Sequence, residues 1–361
     1  MALKGFVSRI ALLASWLGLF AAPAAARDFA AFNADYGANV VAPAFKALAG
    51  ETGRLVQAAD AFAAAPSRDG FANLRVSFEL VSDAWMAAEF YHLGPLGSEQ
   101  RADRFEYWPE KRPIIDKQLN ALIANPSDDA LEPRRFAQAS VAVQGLPALE
   151  RMLYGDAARQ ILSAGPEQKA RIAVIRAIAH NLDALAKELA NAWDQALGDP
   201  RTAAAPFAPD PNEAAAQLYA DLVSGIQIAR AQKLAGPRGQ ALETAKPKAA
   251  EQWRSGRSLR DIKLNLGALN AAVLGPHGFA TLLGSDQAPL KQELAQAFDA
   301  AMAATDAVPE PMDQQVADPE GRRTLGALLA AVTQVSYLLQ QKMAPALGIS
   351  IGFNELDGDG S

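Results

Sequence analysis

The stretch QKARIAVIRAIAHNLDALAKELANAW, residues 168–193, decides the fold class. Its larger apolar side chains recur at steps of three and four residues, which places them on one face of an α-helix. These side chains are Ile175, Ile178, Leu182, Leu185 and Leu189. No proline or glycine interrupts the run, so the stretch predicts a long amphipathic helix of the kind that packs into a helical bundle.

The same helical periodicity returns along the rest of the chain. The segments are 29–48, 53–65, 70–92, 111–124, 133–154, 212–234, 258–274, 287–304 and 321–343, with proline or glycine between them. Alanine is abundant, β-branched residues are sparse, and no run of five or more residues alternates apolar with polar side chains between turn signals. We therefore predict an all-α protein.

Prolines mark one internal boundary. The stretch GDPRTAAAPFAPDP, residues 198–211, contains four prolines and cannot continue a helix. It predicts a linker between an N-terminal bundle, residues 27–197, and a C-terminal bundle, residues 212–361, each with enough helices for a four-helix type of packing side by side. A second polar, proline-containing stretch, residues 235–252, predicts a surface loop.

The first 26 residues have the features of a secretory signal peptide. Lys4 and Arg9 precede an apolar run at residues 10–20, and alanines at 24–26 provide an A-x-A cleavage site. The apolar run is too short to span a bilayer comfortably, and no other segment approaches about 18 apolar residues. We expect an exported protein that does not cross the membrane.

The amino-acid composition excludes several classes of partner and of active site. With 34 Lys and Arg against 40 Asp and Glu, the net charge is −6, which gives no reason to expect nucleic acid as a partner. The absence of cysteine excludes thiolate metal sites, thiol nucleophiles and disulfides. The three histidines, His92, His180 and His277, are too far apart for an HExxH motif, and no G-x-S-x-G elbow is present. Any metal site must therefore depend mainly on oxygen ligands.

The stretch VQGLPALERMLYG, residues 143–155, places two helix-breaking residues in a helical pattern. Pro147 cannot donate to the carbonyl of Val143, so a kink would free that oxygen. Glu150 follows Pro147 by three residues and shares its helix face. The pattern predicts an oxygen site made of this carboxylate and the freed carbonyl; the alternative is that Glu150 forms an ion pair with an arginine across the bundle.

Two further pairs have helical spacing. Trp85 with Glu89, and Arg104 with Trp108, are each separated by one helical turn, so an arginine could face a carboxylate beneath two indoles. This arrangement favours a buried structural ion pair, and the alternative is a ligand clamp.

Ser258 and Asp261 have the spacing of a helix N-cap and its third residue, which favours capping. The tail GFNELDGDGS contains Asn354 and Asp357 but is too short for an EF-hand, which needs twelve loop residues. By its composition it predicts an exposed acidic end.

Together these stretches resemble the imelysin-like family over most of the chain after residue 26. The family signature is G-x-H-x-x-E, and Gly145 and Glu150 match its glycine and glutamate, whereas Pro147 stands in the place of its histidine. The likeness extends to the segments DAWMAAEFYHLGPLGSEQRADRFEYWP, SGRSLRDIKLNL and GISIGFNELDGD.

The resemblance implies two pseudo-symmetric helical bundles, export, a link to iron uptake and a disputed assignment as metallopeptidase. It also implies that the signature residues gather in a groove between the bundles and that the tail with Asn354 and Asp357 folds back towards this groove. A peptidase of this type would use the signature histidine as ligand or base, and Pro147 can be neither. A site for a hard cation, built from carboxylates and carbonyls, does not need it.

We therefore expect a non-catalytic periplasmic protein that binds a metal ion, iron or another divalent or trivalent cation, or a small ligand, and serves iron acquisition with envelope iron-uptake proteins as partners. The predicted metal ligands are Glu150, Asp261 and Asp357. The predicted ligand-binding residues are Trp85, Glu89, Arg104, Trp108, Gly145, Pro147, Ser258 and Asn354. The alternatives are an imelysin-type metallopeptidase and an envelope scaffold protein.

Overall fold

A computed structural model describes residues 27–110 and 112–350, and in those residues all regular secondary structure is helical. This confirms the all-α prediction. The longer helices are α1 Phe29–Tyr36, α2 Ala42–Ala64, α3 Arg68–Met86, α4 Ile114–Ala124, α5 Leu146–Tyr154, α6 Pro166–Gly198, α7 Pro211–Gln227, α8 Ser258–Leu274, α9 Ala288–Asp306 and α10 Pro319–Tyr337. The proposed signal peptide, residues 1–26, and the tail with Asn354 and Asp357 lie outside the described residues.

Short helical segments complete the chain. The α-helical ones are Arg101–Phe105, Asp128–Leu131, Pro133–Phe136, Gly236–Arg238, Met312–Ala317 and Ala344–Leu347. Three π-helical segments, Gly37–Val41, Ile228–Ala235 and Leu338–Met343, follow α1, α7 and α10. The first joins α1 to α2. The break predicted between residues 48 and 53 is absent, because α2 runs through these residues without interruption.

The predicted helix over 133–154 is wrong. In its place are the short helix Pro133–Phe136, a 3₁₀ turn at Val141–Val143, and α5. Gly145 is the N-cap of α5, so Pro147 lies in the first turn, where its missing N–H costs no helical hydrogen bond. Pro147 therefore starts a helix and does not kink one.

The helices pack in two groups that follow one another along the chain, an N-terminal group around α2 and a C-terminal group around α8 and α9. α2 packs on α3 and α6, whereas α8 packs on α7 and α9, and α9 packs on α10. α1 contacts α7 and α3 contacts α8, so the two groups touch directly, and one cluster of buried apolar side chains extends from Phe32 to Ile349. Pseudo-symmetry of the two groups, and a domain boundary at 198–211, stay predictions.

Polar side chains also bridge this contact between the helix groups. Asp83 on α3 pairs with Arg257 and with Arg260 of α8, whose Nε lies 2.9 Å from Asp83 Oδ1. Asp221 on α7 accepts a hydrogen bond of 2.9 Å from the backbone N–H of Leu93. Within residues 27–110 and 112–350, no helix is long and apolar enough to cross a membrane.

Candidate functional site

A pocket of about 180 Å³ lies where residues 106–110 and the start of α5 meet residues 248–254. We call it the seam pocket, because its walls come from both helix groups. Trp108, Pro147 and Glu150, three residues that the sequence analysis proposed, all line it.

Gly145 allows the chain to form this pocket. A Cβ atom at position 145 would lie 2.4 Å from the carbonyl oxygen of Phe105, a distance that no side chain tolerates. The glycine thus lets the start of α5 approach the backbone of residues 104–105. This approach brings Glu106 next to the first turn of α5, and both line the seam pocket.

Glu150 points into the contact between the two helix groups. Its side chain is 3% exposed, and its Oε1 accepts hydrogen bonds from the backbone N–H of Ser255 at 2.9 Å and from Ser255 Oγ at 2.8 Å. Burial raises the pKa of Glu150, although both hydrogen bonds act in the opposite direction. Among the described residues no basic nitrogen lies within 4 Å of Glu150, so the alternative of a direct ion pair is wrong, although the charges of Arg254 and Arg151 also lower its pKa.

The seam pocket contains buried polar atoms that no neighbour satisfies. Within the described part of the chain, Glu106 Oε2 and both amide atoms of Gln252 lack a hydrogen-bond partner, and both residues line the pocket. Burial raises the pKa of Glu106 well above its usual value, and the nearby charges of Glu251 and Glu89 raise it further. Unsatisfied buried groups of this kind call for a polar or charged partner.

A group of buried charges lies beside the pocket. Lys233, on the π-helical segment after α7, is 2% exposed, and its Nζ lies 2.5 Å from Glu89 Oε1, 2.8 Å from Glu251 Oε2 and 2.8 Å from Asn265 Oδ1. Asn265 Nδ2 donates to Glu89 Oε1 at 2.8 Å and so closes the network. Burial opposes the charge on Lys233, but the two carboxylates raise its pKa above the usual value for lysine.

Four carboxyl groups surround this single lysine. We call Glu89, Glu106, Glu251 and Asp261 the carboxylate cluster. Burial raises the pKa of Glu251 to about 7, even though Lys233 opposes the shift. Burial and the charge of Glu251 raise the pKa of Asp261 well above its usual value. The cluster therefore carries more acidic groups than its lysine can neutralise.

The predicted capping role of Ser258 and Asp261 is wrong. Arg257 occupies the N-cap position of α8, and Ser258 Oγ donates instead to the carbonyl oxygen of Glu251. Asp261 is 0% exposed, and within the described residues neither of its carboxylate oxygens accepts a hydrogen bond; Arg257 Nε lies 3.8 Å away. Ser258 thus holds the backbone at Glu251 in place, and Asp261 belongs to the carboxylate cluster.

The Trp85, Glu89, Arg104 and Trp108 set does not converge as the spacing predicted. Glu89 pairs with Lys233, whereas Arg104 donates to Gln144 Oε1 at 3.0 Å and to Asn181 Oδ1 at 3.4 Å. The ring of Trp85 stacks on Phe105, with 4.4 Å between the centroids, and lies in the core. Only Trp108 of this set lines the seam pocket.

Sequence reasoning missed Glu106, Lys233, Glu251 and Asn265. The loop prediction for residues 235–252 is wrong at its end, where Glu251 and Gln252 are buried. Lysine and asparagine among apolar helical residues were the available signal, because such residues are seldom buried without a partner. Their shared partner Glu89 is 144 residues from Lys233 and 176 from Asn265 in sequence, so spacing could not reveal this pairing.

The carboxylate and amide oxygens that line the seam pocket are of the kind that bind a hard cation. Carboxylate and amide oxygens are the ligands that such ions prefer. In the part of the chain that the structure describes, no group of three or more histidine, aspartate or glutamate side chains is arranged to hold a metal ion. The pocket therefore offers individual oxygens and no described metal cage.

Comparisons with known proteins agree on one family. The family model described as imelysin matches residues 41–339. Iron-regulated protein A of Synechococcus elongatus is 26% identical over 324 residues, which cover 85% of this chain and 83% of that protein.

Two solved structures have a similar fold. An imelysin-like protein from Psychrobacter arcticum 273-4 has a TM-score of 0.77 and 22% identity, covering 90% of this chain and 97% of its own. A putative iron-regulated protein A precursor from Parabacteroides distasonis has a TM-score of 0.69 and 15% identity, covering 86% and 93%. Since the family model spans most of the chain, the protein belongs to the imelysin family.

Proposed function

We propose that this protein binds a metal cation, with iron as the first candidate, in the seam pocket, and that it serves iron acquisition in the cell envelope without breaking bonds. The unsatisfied Glu106 Oε2 in the pocket wall is the observation that carries the proposal. Glu150, Glu106 and Gln252 supply the oxygens, and the ion keeps part of its water shell, because the described residues offer no three-carboxylate cage.

Charge supports a cation over an anion. Burial raises the pKa values of Glu106 and Glu150, although the charge of Lys233 opposes the shift at Glu106 and the charges of Arg254 and Arg151 oppose it at Glu150. The basic residues of the pocket already have neighbours: Arg151 pairs with Glu110 and with Asp116, Arg254 lies 3.7 Å from Asp116 Oδ2, and Lys248 lies over the ring of Trp253. A bound cation would replace the protons of the buried carboxyl groups.

The link to iron rests on relatives. The Synechococcus protein and the Parabacteroides structure both have names that describe iron regulation. Because this chain belongs to the same family, we include a role in iron acquisition in the proposal. Pro147 in the pocket, where the family signature has histidine, favours binding over proteolysis, because proline offers neither a metal ligand nor a base.

Metal titration tests the proposal directly. The full-length protein, stripped of metal, is titrated with ferric citrate, and binding is followed by calorimetry and by the fluorescence of Trp108 and Trp253, which line the pocket. We expect micromolar or tighter binding. Glu150→Gln and Glu106→Gln should each weaken it at least about tenfold, the size of one lost charge-assisted contact.

Glu320→Gln is the matched control. Glu320 is an exposed carboxylate paired with Arg323 and lies outside the seam pocket, so its loss should leave affinity unchanged. Absence of ferric binding, or full affinity in both pocket variants, would reject the proposed site. Elemental analysis of protein from iron-limited and iron-replete cells would then show whether another cation occupies the native protein.

Two alternatives give different results in the same preparations. A metallopeptidase would digest unfolded casein in a chelator-sensitive manner. An envelope scaffold would neither bind metal nor cleave, and would co-purify with envelope components. The proposed export is tested separately by mass spectrometry, since cleavage after Ala26 would leave Arg27 as the first residue of the mature chain.

A further inference from the structure

A second and larger cavity lies on the outer face of α6. Its volume is about 570 Å³, within the range of about 300–1,000 Å³ that is usual for small-molecule sites. We call it the α6 cavity. None of its described lining residues also lines the seam pocket, so it is a separate site.

The α6 cavity is mainly apolar along α6 and its neighbours. Its walls include Leu131, Pro133 and Ala137, which face Ala177 and Ala184 of α6. The alanines at 177 and 184 lie two helical turns apart on one face of α6, and their small side chains leave the space open. This surface suits the apolar body of a ligand.

Arg104 provides the polar end of the cavity. Its guanidinium is half-buried, and it donates to two neutral amide oxygens, those of Gln144 at 3.0 Å and Asn181 at 3.4 Å. Among residues 27–110 and 112–350, no carboxylate lies within ion-pair distance of Arg104. Asn181 is itself buried and lines the cavity, and its Nδ2 donates to Gln144 Oε1 at 3.1 Å, so the amides hold the guanidinium in a fixed orientation.

The other charged groups of the α6 cavity already have partners. Glu188 accepts from Arg101 Nε at 2.9 Å and from Arg101 Nη2 at 2.6 Å. Arg176 and His180 share the carboxylate of Asp60, at 2.7 Å and 3.2 Å. After these pairs are made, Arg104 is the basic side chain of the described cavity wall that has no ion pair, and the charge of Glu188 acts on it only from a longer distance.

We propose that the α6 cavity binds a small monocarboxylate with an apolar body, whose carboxylate pairs with Arg104 and whose body lies on the alanine face of α6. A guanidinium recognises a carboxylate through parallel N–H bonds, and the alanine face offers a contact surface for the apolar body. This ligand class is distinct from the cation of the seam pocket, so either site can exist without the other.

Octanoate is the probe for this site. We expect calorimetry to show that the full-length protein binds octanoate, and that Arg104→Gln weakens the binding at least about tenfold, as expected for the loss of a charged contact. Ala184→Trp should weaken it as well by filling the space, and this exposed position tolerates a large side chain without disturbing the core. Arg323→Gln, at an exposed arginine on α10, is the matched control and should not change affinity.

Three results would overturn the proposal. The first is the absence of octanoate binding. The second is that 1-octanol binds as tightly as octanoate, which would show that the carboxylate is not recognised. The third is full affinity in both Arg104→Gln and Ala184→Trp when circular dichroism shows both variants folded. Octanoate binding that survives in Glu150→Gln, a seam-pocket variant, separates this result from that of the metal titration.

Discussion

Lys233 is an ammonium group that the fold holds almost wholly away from water, between Glu89 and Glu251. Removing one partner of a buried ion pair costs about 3–5 kcal/mol, because the remaining charge is left uncompensated. We expect Lys233→Met to lower the free energy of unfolding at pH 7 by this amount, measured by urea denaturation. At pH 5 the loss should be smaller, because Glu251, whose pKa is about 7, is then protonated and no longer needs the lysine.

The control for this prediction is Lys263→Met. Lys263 pairs with Asp306 on the surface, and exposed pairs contribute about 0–1 kcal/mol. If the two variants lost equal stability, Lys233 would be contributing no more than a surface charge.

Gly145 has no room for a side chain, since a Cβ there would lie 2.4 Å from the carbonyl oxygen of Phe105. We expect Gly145→Ala to destabilise the protein by about 1–3 kcal/mol through overpacking and to weaken metal binding, because residues 104–106 must move away. Gly50→Ala is the matched control. Nothing lies within 4 Å of a Cβ at position 50 in α2, so that change should stabilise by about 0.4–1 kcal/mol. Equal effects of the two substitutions in urea denaturation would contradict the close approach.

At the level of elements, apolar periodicity predicted the helices well where one face is continuously apolar. The segment 258–274 coincides with α8, and 168–193 lies inside α6. The prediction failed over 133–154, because several of these residues are buried by contacts with other elements and so follow no single helix face. The π-helical segments were also missed, since one extra residue per turn barely alters the periodicity of a short stretch.

The first turn of α5 has a consequence for Pro147. An N–H at this position has no acceptor within the helix, so another residue there would lose no hydrogen bond. Because Pro147 is buried, we expect Pro147→His to lower the free energy of unfolding only by the about 1–3 kcal/mol of a larger side chain, whereas Ala184→Pro, in the middle of α6, should cost about 3 kcal/mol or more. Urea denaturation compares them, and a large loss in Pro147→His would show that the ring itself is needed.

The contact of α7 with the turn after α3 makes stability depend on pH. Burial raises the pKa of Asp221 to about 8, against the hydrogen bond from Leu93 N–H that lowers it. The folded chain therefore holds this proton more tightly than the unfolded chain between about pH 4 and 8. Stability falls as pH rises through that window, by about 1.4 kcal/mol per pH unit for one such group.

Asp221→Asn tests this linkage, because the amide cannot titrate and its oxygen can still accept from Leu93. We expect the variant to gain stability relative to the parent protein as pH rises from 5.5 to 7.5, measured by urea denaturation at several pH values. A difference in free energy that stays constant over this range would show that Asp221 is already ionised at pH 5.5.

At the level of the whole molecule, the candidate site was only partly predictable. Local motifs led to Glu150 and Trp108, which line the seam pocket. The carboxylate cluster could not be predicted, because Lys233 meets Glu89 across 144 residues of chain, on elements whose packing no local pattern specifies. Buried polar residues in helices indicate that partners exist, but only the tertiary fold supplies them.

The shared core makes a last prediction about cooperativity. Buried apolar side chains form one cluster through both helix groups, and Asp83 with Arg257 adds a charged contact between α3 and α8. If the two helix groups unfold together, a destabilising substitution in one group must lower the stability of the other as well. Phe298 on α9 is fully buried, and Phe298→Ala should cost about 3–5 kcal/mol.

Tryptophan fluorescence reports mainly on the N-terminal group of helices, where Trp85 and Trp193 are buried, whereas circular dichroism reports on all helices. We expect Phe298→Ala to lower the urea midpoint equally by both probes, with one transition in each, because a single cooperative unit cannot lose stability in one part alone. A fluorescence midpoint that stays at the parent value while the dichroism curve splits into two steps would show that the helix groups unfold independently. In that case the seam pocket would lie at an interface between two autonomous domains, and the proline-rich stretch 198–211 would act as the linker that its composition predicts.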